Sequence, residues 1–374
     1  MQYRPFGKTG IKISRLGFGA MRLPQKEQNG EMVFDQEEGI RVIHRAFELG
    51  VNYIDTAPSY CDKQSEVIVG KALKGWRDRV YLSTKNPIED ESGVHYRERL
   101  ESSLKKLDTS TIDFYHMWGI SWETFEQKIN VKDGPLTQAL QAKEEGLIRH
   151  LSFSFHDKPA AMMRLIDTGY FETVLCQYNM LDRGNEDSIA YAQEKGLGVA
   201  VMGPVGGGRL GFPSDAIQKL ILGGAKSSPE LALRFVFSNP NVTCALSGMS
   251  SLAMVEENAR VASNPAGLDP GEVVAITSAM EQNKKLADLY CTGCSYCMPC
   301  PQEVNIPLNF QLMNYHRVYG LTDYARQEYQ KIGTTPWMKG KRADACIECG
   351  ECEEKCPQKI QIREQLQETI AALG

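Results

Sequence analysis

The chain has no apolar run long enough to cross a membrane, and its opening stretch, MQYRPFGKTGIKISRLGFGA, has no continuous apolar core of the kind a secretory signal needs. Neither a membrane partner nor export is expected. Charge of one sign is also lacking: a net charge of −5 over 374 residues favours neither nucleic acid nor an anionic membrane, so no nucleic-acid partner is expected. Low-complexity tracts are missing. No Gly-x-Gly-x-x-Gly loop follows the first strand-like run, where GFGAMRLP stands instead. An open, doubly wound dinucleotide fold usually carries that loop. Cysteine is scarce up to residue 290, with only Cys61, Cys176 and Cys244, and then eight more fall between 291 and 356. Secreted disulfide scaffolds are dense in cysteine throughout, so this lopsided pattern points to metal ligation in a reducing cytoplasm.

What the sequence does have is a strict alternation of strand-like and helix-like segments. Residues 1–15 read as a short hairpin, turning at Gly7-Lys8-Thr9-Gly10. Strands are then predicted at 16–20, 51–55, 80–84, 112–118, 148–155, 173–177, 197–202 and 242–246, with helices between them. Asp35 and Gly50 frame the first helix as cap and stop. The strands are apolar on both faces, as a buried parallel sheet requires. Eight such units over roughly 250 residues predict an α/β fold, a (β/α)₈ TIM barrel. A linker, PAGLDP, and one more helix lead to the cysteine motifs. The predicted division is a barrel over 1–285 and a small, mainly helical, ferredoxin-like domain over 286–374.

One stretch inside the barrel carries chemistry. In VNYIDTAPSY (51–60), Asp55 ends a strand and Tyr60 follows in the loop, while the next strand ends in Lys85. A phenol of pKa about 10 is a poor proton donor near neutrality. A nearby ammonium is expected to lower that pKa, with a carboxylate holding the ammonium charged. Barrel active sites are built at these strand ends.

Five stretches occur in order: FGKTGIKISRLGFGAMRLP, IDTAPSY, LSTK, VMGPVGGGRL and SGMSSLAMVEEN. Together they resemble the aldo-keto reductases over about residues 1–285. The resemblance implies a (β/α)₈ barrel that binds NADP at its C-terminal face. It also implies hydride exchange between the nicotinamide and a small carbonyl or alcohol substrate. It assigns Asp55, Tyr60 and Lys85 to the catalytic tetrad. The fourth member departs from the pattern. Where the family has Asp-Leu-Tyr-x-x-His, this chain has Asp113-Phe114-Tyr115-His116-Met117-Trp118. His116 and Trp118 share a strand face, so either is a candidate to orient the substrate, with Trp118 alternatively a pocket wall.

The resemblance also implies that Ser154 and Gln177 bind the nicotinamide amide, with Phe155 in the place of a family asparagine. Met202 takes the stacking position, and Gly206, Gly207 and Gly208 let backbone approach the pyrophosphate. Gly248, Ser250, Glu257 and Asn258 match the adenosine segment. The family's usual Lys and Arg for the 2′-phosphate align with Gly248 and Met254, so NADP rests on family habit and NAD stays open.

The tail carries Cys291-x₂-Cys294-x₂-Cys297-x₂-Cys300-Pro301 and Cys346-x₂-Cys349-x₂-Cys352-x₃-Cys356-Pro357. These spacings suit two [4Fe–4S] clusters, with the last cysteine of each run ligating the other cluster. That gives Cys291, Cys294, Cys297 and Cys356 for one, and Cys346, Cys349, Cys352 and Cys300 for the other. Zinc is the competing ligand-set reading. The clusters serve either as an electron port, towards a redox protein partner or the substrate, or as a clamp on the tail. The expected function is a nicotinamide-dependent oxidoreductase. The rival is a non-catalytic or redox-sensing barrel that binds NAD(P)H and passes electrons or signals onward.

Overall fold

The computed structural model describes residues 1–28, 30–211, 225–265, 267–291, 293, 295–356 and 360–374. The chain divides into two compact units, Met1–Gly207 with Ala232–Leu268, and Gly208–Leu231 with Asp269–Gly374. Among the described residues no helix is long and apolar enough to cross a membrane.

Unit one is built on a closed barrel of eight parallel strands. They are β1 (Leu16–Gly19), β2 (Tyr53–Asp55), β3 (Tyr81–Pro87), β4 (Ile112–Trp118), β5 (Ile148–Phe155), β6 (Thr173–Gln177), β7 (Gly198–Met202) and β8 (Cys244–Ser247). Each strand pairs with its neighbours in sequence, and β8 closes on β1. The expected fold class is therefore what is found. Helices α1 (Gln36–Glu48), α2 (Ser65–Ala72), α3 (Gly93–Leu107), α4 (Pro135–Glu144), α5 (Pro159–Asp167) and α6 (Glu186–Lys195) alternate with the strands. After them come α7 (Ser228–Ser238) and α8 (Leu252–Ser263). Their starts are chemically marked. Asp35 accepts from the Glu38 amide at 3.2 Å, Ser92 from His95 at 3.3 Å and Ser251 from Met254 at 3.3 Å. Pro135 and Pro159 occupy first-turn positions, where a missing N–H costs nothing.

Register fixes which side chains point inward. Asp55 pairs with Ser83, Lys85 with His116, and His116 with Ser152. Counting by two along each strand puts Asp55, Lys85, His116, Trp118, Ser154 and Gln177 on the inner face. The lower barrel is closed by the amino-terminal hairpin, Tyr3–Pro5 against Lys12–Ser14. Phe6 enters it edge-on to Phe114, ring centroids 4.9 Å apart. A Cβ on Gly198 would lie only 2.3 Å from the Phe6 ring, so glycine opens β7 to let that ring in.

A second hairpin, Gln25–Gln28 with Glu31–Phe34, was not expected, because its residues do not alternate apolar and polar. Its first strand is exposed on both faces. The Asn-Gly pair at 29–30 is the sequence signal for it.

Unit two contains α9 (Pro270–Tyr290), α10 (Ile306–Arg317), α11 (Thr322–Tyr329), α12 (Glu351–Lys355) and α13 (Ile362–Leu373). The single helical stretch expected over 306–331 is divided between α10 and α11, with Gly320 at φ 64° between them. Phe310, Leu312, Tyr329, Ile362 and Leu366 form its core, and Cys352 and Cys356 join them.

Candidate active site

Lys85 organises the rim. Its Nζ donates to Asp55 Oδ2 at 2.5 Å and to the Thr56 carbonyl at 2.7 Å, with only 2% of the side chain exposed. Asp55 is held from its other oxygen by the Ser83 hydroxyl at 2.8 Å. Ser83 was not singled out from sequence. It sits two residues before Lys85 on the same strand face, and that period-two spacing was the available signal. Nζ also stands 4.8 Å from the centre of the Tyr60 ring. Three side chains from two strands and one loop are thus in one place.

Burial opposes the charge on Lys85, but Asp55 and Tyr60 outweigh it, and the pKa lies above the ordinary lysine value. The expectation for Tyr60 needs correction. Burial pushes the phenol above its ordinary value, and Lys85 pulls it back only in part. The group is therefore a fully protonated donor at neutral pH.

Trp118 meets Tyr60 edge-on, ring centroids 5.8 Å apart and planes at 88°. His116 lies one inward position below it and is fully buried. Among the described residues neither of its ring nitrogens has a hydrogen-bond partner. Burial, only partly offset by Asp55, lowers its pKa to about 4, so the ring is neutral.

Of the residues matched to cofactor binding, Ser154, Gln177 and Met202 lie at the ends of β5, β6 and β7. Ser154 accepts from the Gly119 amide at 2.8 Å, tying the loop after β4 to β5. Gln177 and Met202 are register partners on the inner face. A Cβ on Gly203 would lie 2.8 Å from the Gln177 amide, and Gly203 has φ 62°, so only glycine suits this close approach. The Gln177 amide has no hydrogen-bond partner among the described residues, which suits it to a carboxamide ligand. Gly206, Gly207 and Gly208 all have positive φ. Asn258 donates to Ser247 at 3.1 Å, holding α8 to the end of β8. Ser250 Oγ is 3.6 Å from Met254 Sδ. The Cβ of Arg22 stands 3.7 Å from where a Cβ on Gly248 would lie. Glu257 is engaged in contacts of its own within the fold.

In the tail, Cys300, Cys346, Cys349 and Cys352 line one cavity, with Cys297 beside them. Cys294 and Pro357 lie outside the described residues. The two cysteine runs share a backbone form. In the first, Gly293 and Ser295 have φ of 72° and 63°, and in the second Glu348 and Gly350 have 57° and 82°. Each run also has an amide directed at its leading sulfur, Gly293 to Cys291 and Glu348 to Cys346, both at 3.4 Å. Among the described residues no three His, Cys, Asp or Glu side chains converge as a single metal ion would need. The described thiols instead surround a space, which fits a multi-atom cluster with all-sulfur ligands.

Both parts of the chain match known families. Residues 15–281 match the Aldo/keto reductase family, and residues 290–360 match the 4Fe-4S dicluster domain. The chain is 27% identical to L-galactose dehydrogenase of Arabidopsis thaliana over 314 residues, covering 76% of this chain and 96% of that protein. It is 26% identical to the NADH-specific methylglyoxal reductase of Escherichia coli over 309 residues, covering 69% and 92%. An aldo-keto reductase from Bacillus halodurans, solved in its holo form, superposes with a TM-score of 0.65 at 28% identity, covering 75% of this chain and 96% of that one. With a closed barrel, a buried lysine between carboxylate and phenol, and this family match over most of its length, the chain belongs to the aldo/keto reductases as an NAD(P)H-dependent oxidoreductase with a carboxy-terminal iron–sulfur domain.

Proposed function

We propose that the enzyme reduces small aldehydes or ketones to alcohols with Tyr60 as the proton donor, and that its preferred cofactor is NADP. The observation that carries this reading is Lys85, buried between Asp55 and Tyr60. When bound, the nicotinamide supplies the hydride to the carbonyl carbon. Tyr60 gives its proton to the carbonyl oxygen, and the phenolate left behind is stabilised by Lys85. Asp55 keeps Lys85 charged, and Ser83 keeps Asp55 in place. Trp118 walls the pocket and excludes water. His116 stays neutral within the barrel, in register with Lys85. Ser154, Gln177, Met202, Gly206, Gly207 and Gly208 would hold the nicotinamide and pyrophosphate, and Gly248, Ser250, Glu257 and Asn258 the adenosine. A barrel that had lost catalysis would have no need to keep an ammonium buried at this cost.

The tail, which we place at 286–374, would hold two [4Fe–4S] clusters with the cysteine sets given above. The repeated left-handed loop in the two runs supports a pair of clusters. A cluster exchanges single electrons, so its natural counterpart is a redox protein partner rather than the nicotinamide. Cytoplasmic placement in an oxygen-poor cell follows from this chemistry.

The test of the barrel is Tyr60→Phe, assayed with NADPH and methylglyoxal. Turnover is expected to vanish while NADPH binding stays within threefold of wild type, about 0.7 kcal/mol. Wild-type turnover in this variant would refute the assignment. Anaerobic purification with iron, sulfide and zinc analysis tests the tail. About eight irons per chain are expected for two clusters, and zinc without iron would refute them.

A further inference from the structure

We propose that His156 hydrogen-bonds the substrate's carbonyl oxygen beside Tyr60, the role that the family gives to a histidine on the fourth strand. This rests on the reductase reading above. Of the six histidines in the chain, four are engaged within the fold. His44 meets the Ala72 carbonyl, His95 meets Asp90, His150 meets Glu172 and His316 meets Thr322. His116 is sealed within the barrel. His156 alone is exposed at the rim, and among the described residues its ring has no hydrogen-bond partner.

Its position follows from strand periodicity. Ser152 and Ser154 face inward on β5, and His156, one residue beyond the strand, continues that face. Its Cδ2 lies 3.8 Å from where a Cβ on Gly119 would stand, so no side chain separates the ring from the loop that follows Trp118. The Gly119–Ser154 hydrogen bond fixes that loop to β5. Partial burial, and then the charge of Lys85, hold the His156 pKa below the ordinary histidine value, which keeps the ring neutral. A neutral imidazole offers one N–H donor. A carbonyl oxygen has two lone pairs, one for the Tyr60 hydroxyl and one for this donor. His156 transfers no proton in the step; it orients the oxygen and stabilises the charge that develops there.

The experiment compares His156→Phe, which keeps a ring but no donor, with His156→Gln, which keeps an N–H donor. With methylglyoxal and NADPH, His156→Phe is expected to lose on the order of 10²-fold in kcat/KM, the usual cost of one donor to a developing oxyanion. His156→Gln should regain about tenfold of that, and the KM for NADPH should stay within about threefold in both. His156→Phe within threefold of wild type, or Gln no better than Phe, would overturn the proposal. Calorimetric binding of acetone to the NADP⁺ complex, in which ketone and cofactor are both oxidised and cannot react, adds a readout independent of turnover. Weaker binding in His156→Phe alone supports the assignment, and equal binding in all three proteins overturns it. Tyr60→Phe with wild-type turnover would instead strike the reductase reading itself.

Discussion

Asp55→Asn isolates the interaction on which the site is built. The change keeps the shape of the side chain and an oxygen able to accept from Ser83, but removes the charge facing Lys85. At 2.5 Å and an effective dielectric of about 20, the lost Coulomb attraction is about 7 kcal/mol before desolvation is counted. Lys85 is 2% exposed, so water does not replace the carboxylate. Breaking one half of such a pair costs about 3–5 kcal/mol, and the Thr56 carbonyl left on the ammonium sets the loss near about 3 kcal/mol. Urea unfolding followed by tryptophan fluorescence at pH 7.5 measures it. Lys85→Met should cost a similar amount, and the double variant only about 1–2 kcal/mol, because neither charge is then stranded.

The alkaline limb gives an independent check of sign. In the wild type the folded pKa of Lys85 is raised, so its contribution is complete below the unfolded value near about 10 and is lost as pH rises through the folded value. In Asp55→Asn burial, the largest influence on Lys85, loses its main opponent and outweighs what Tyr60 still offers, so the folded pKa drops below the unfolded one. Stability should then rise with pH, by up to about 1.4 kcal/mol per unit, until the unfolded lysine also loses its proton. An Asn variant that loses under about 1 kcal/mol, single variants that add without coupling, or a falling alkaline limb would refute the reasoning.

Ser83→Ala removes the second hold on Asp55. It should cost about 1 kcal/mol and lower kcat with NADPH affinity unchanged, and an unaltered kcat would deny Ser83 its positioning role. Gly198→Ala drives a methyl into the Phe6 ring and should destabilise by about 1–3 kcal/mol in urea, partly relieved by Phe6→Leu; a loss below about 0.5 kcal/mol would refute the packing argument. For Glu172, burial raises the pKa, but His150 and Lys143 outweigh it and lower it from 4.5 to about 2. Its contribution is present above pH 4.5 and lost as pH falls towards about 2. With partial exposure discounted, Glu172→Gln should lose about 1–2 kcal/mol at pH 7 and fall less steeply below pH 4.5, and an acid limb identical to wild type would refute the pairing.

Much of the barrel is legible in the chain because its rules are local. Apolar runs of strand length recur eight times with helix-like segments between them, and parallel pairing in sequence order closes them. The hairpin over Gln25–Phe34 escaped because its face is not buried, so nothing forced its residues to alternate. The cysteine runs were legible because ligand spacing is itself a local property.

Residue types at strand ends determined Asp55, Tyr60 and Lys85 as candidates, since period two and strand length suffice to bring them to one rim. Only the tertiary structure decided how they behave. Burial of the phenol, which depends on Trp118 from another strand, outweighs the ammonium and turns the expected fall in the Tyr60 pKa into a rise. The same closure seals His116 and leaves His156 open, because inward depth along a barrel is set by stagger between strands, which no single segment encodes.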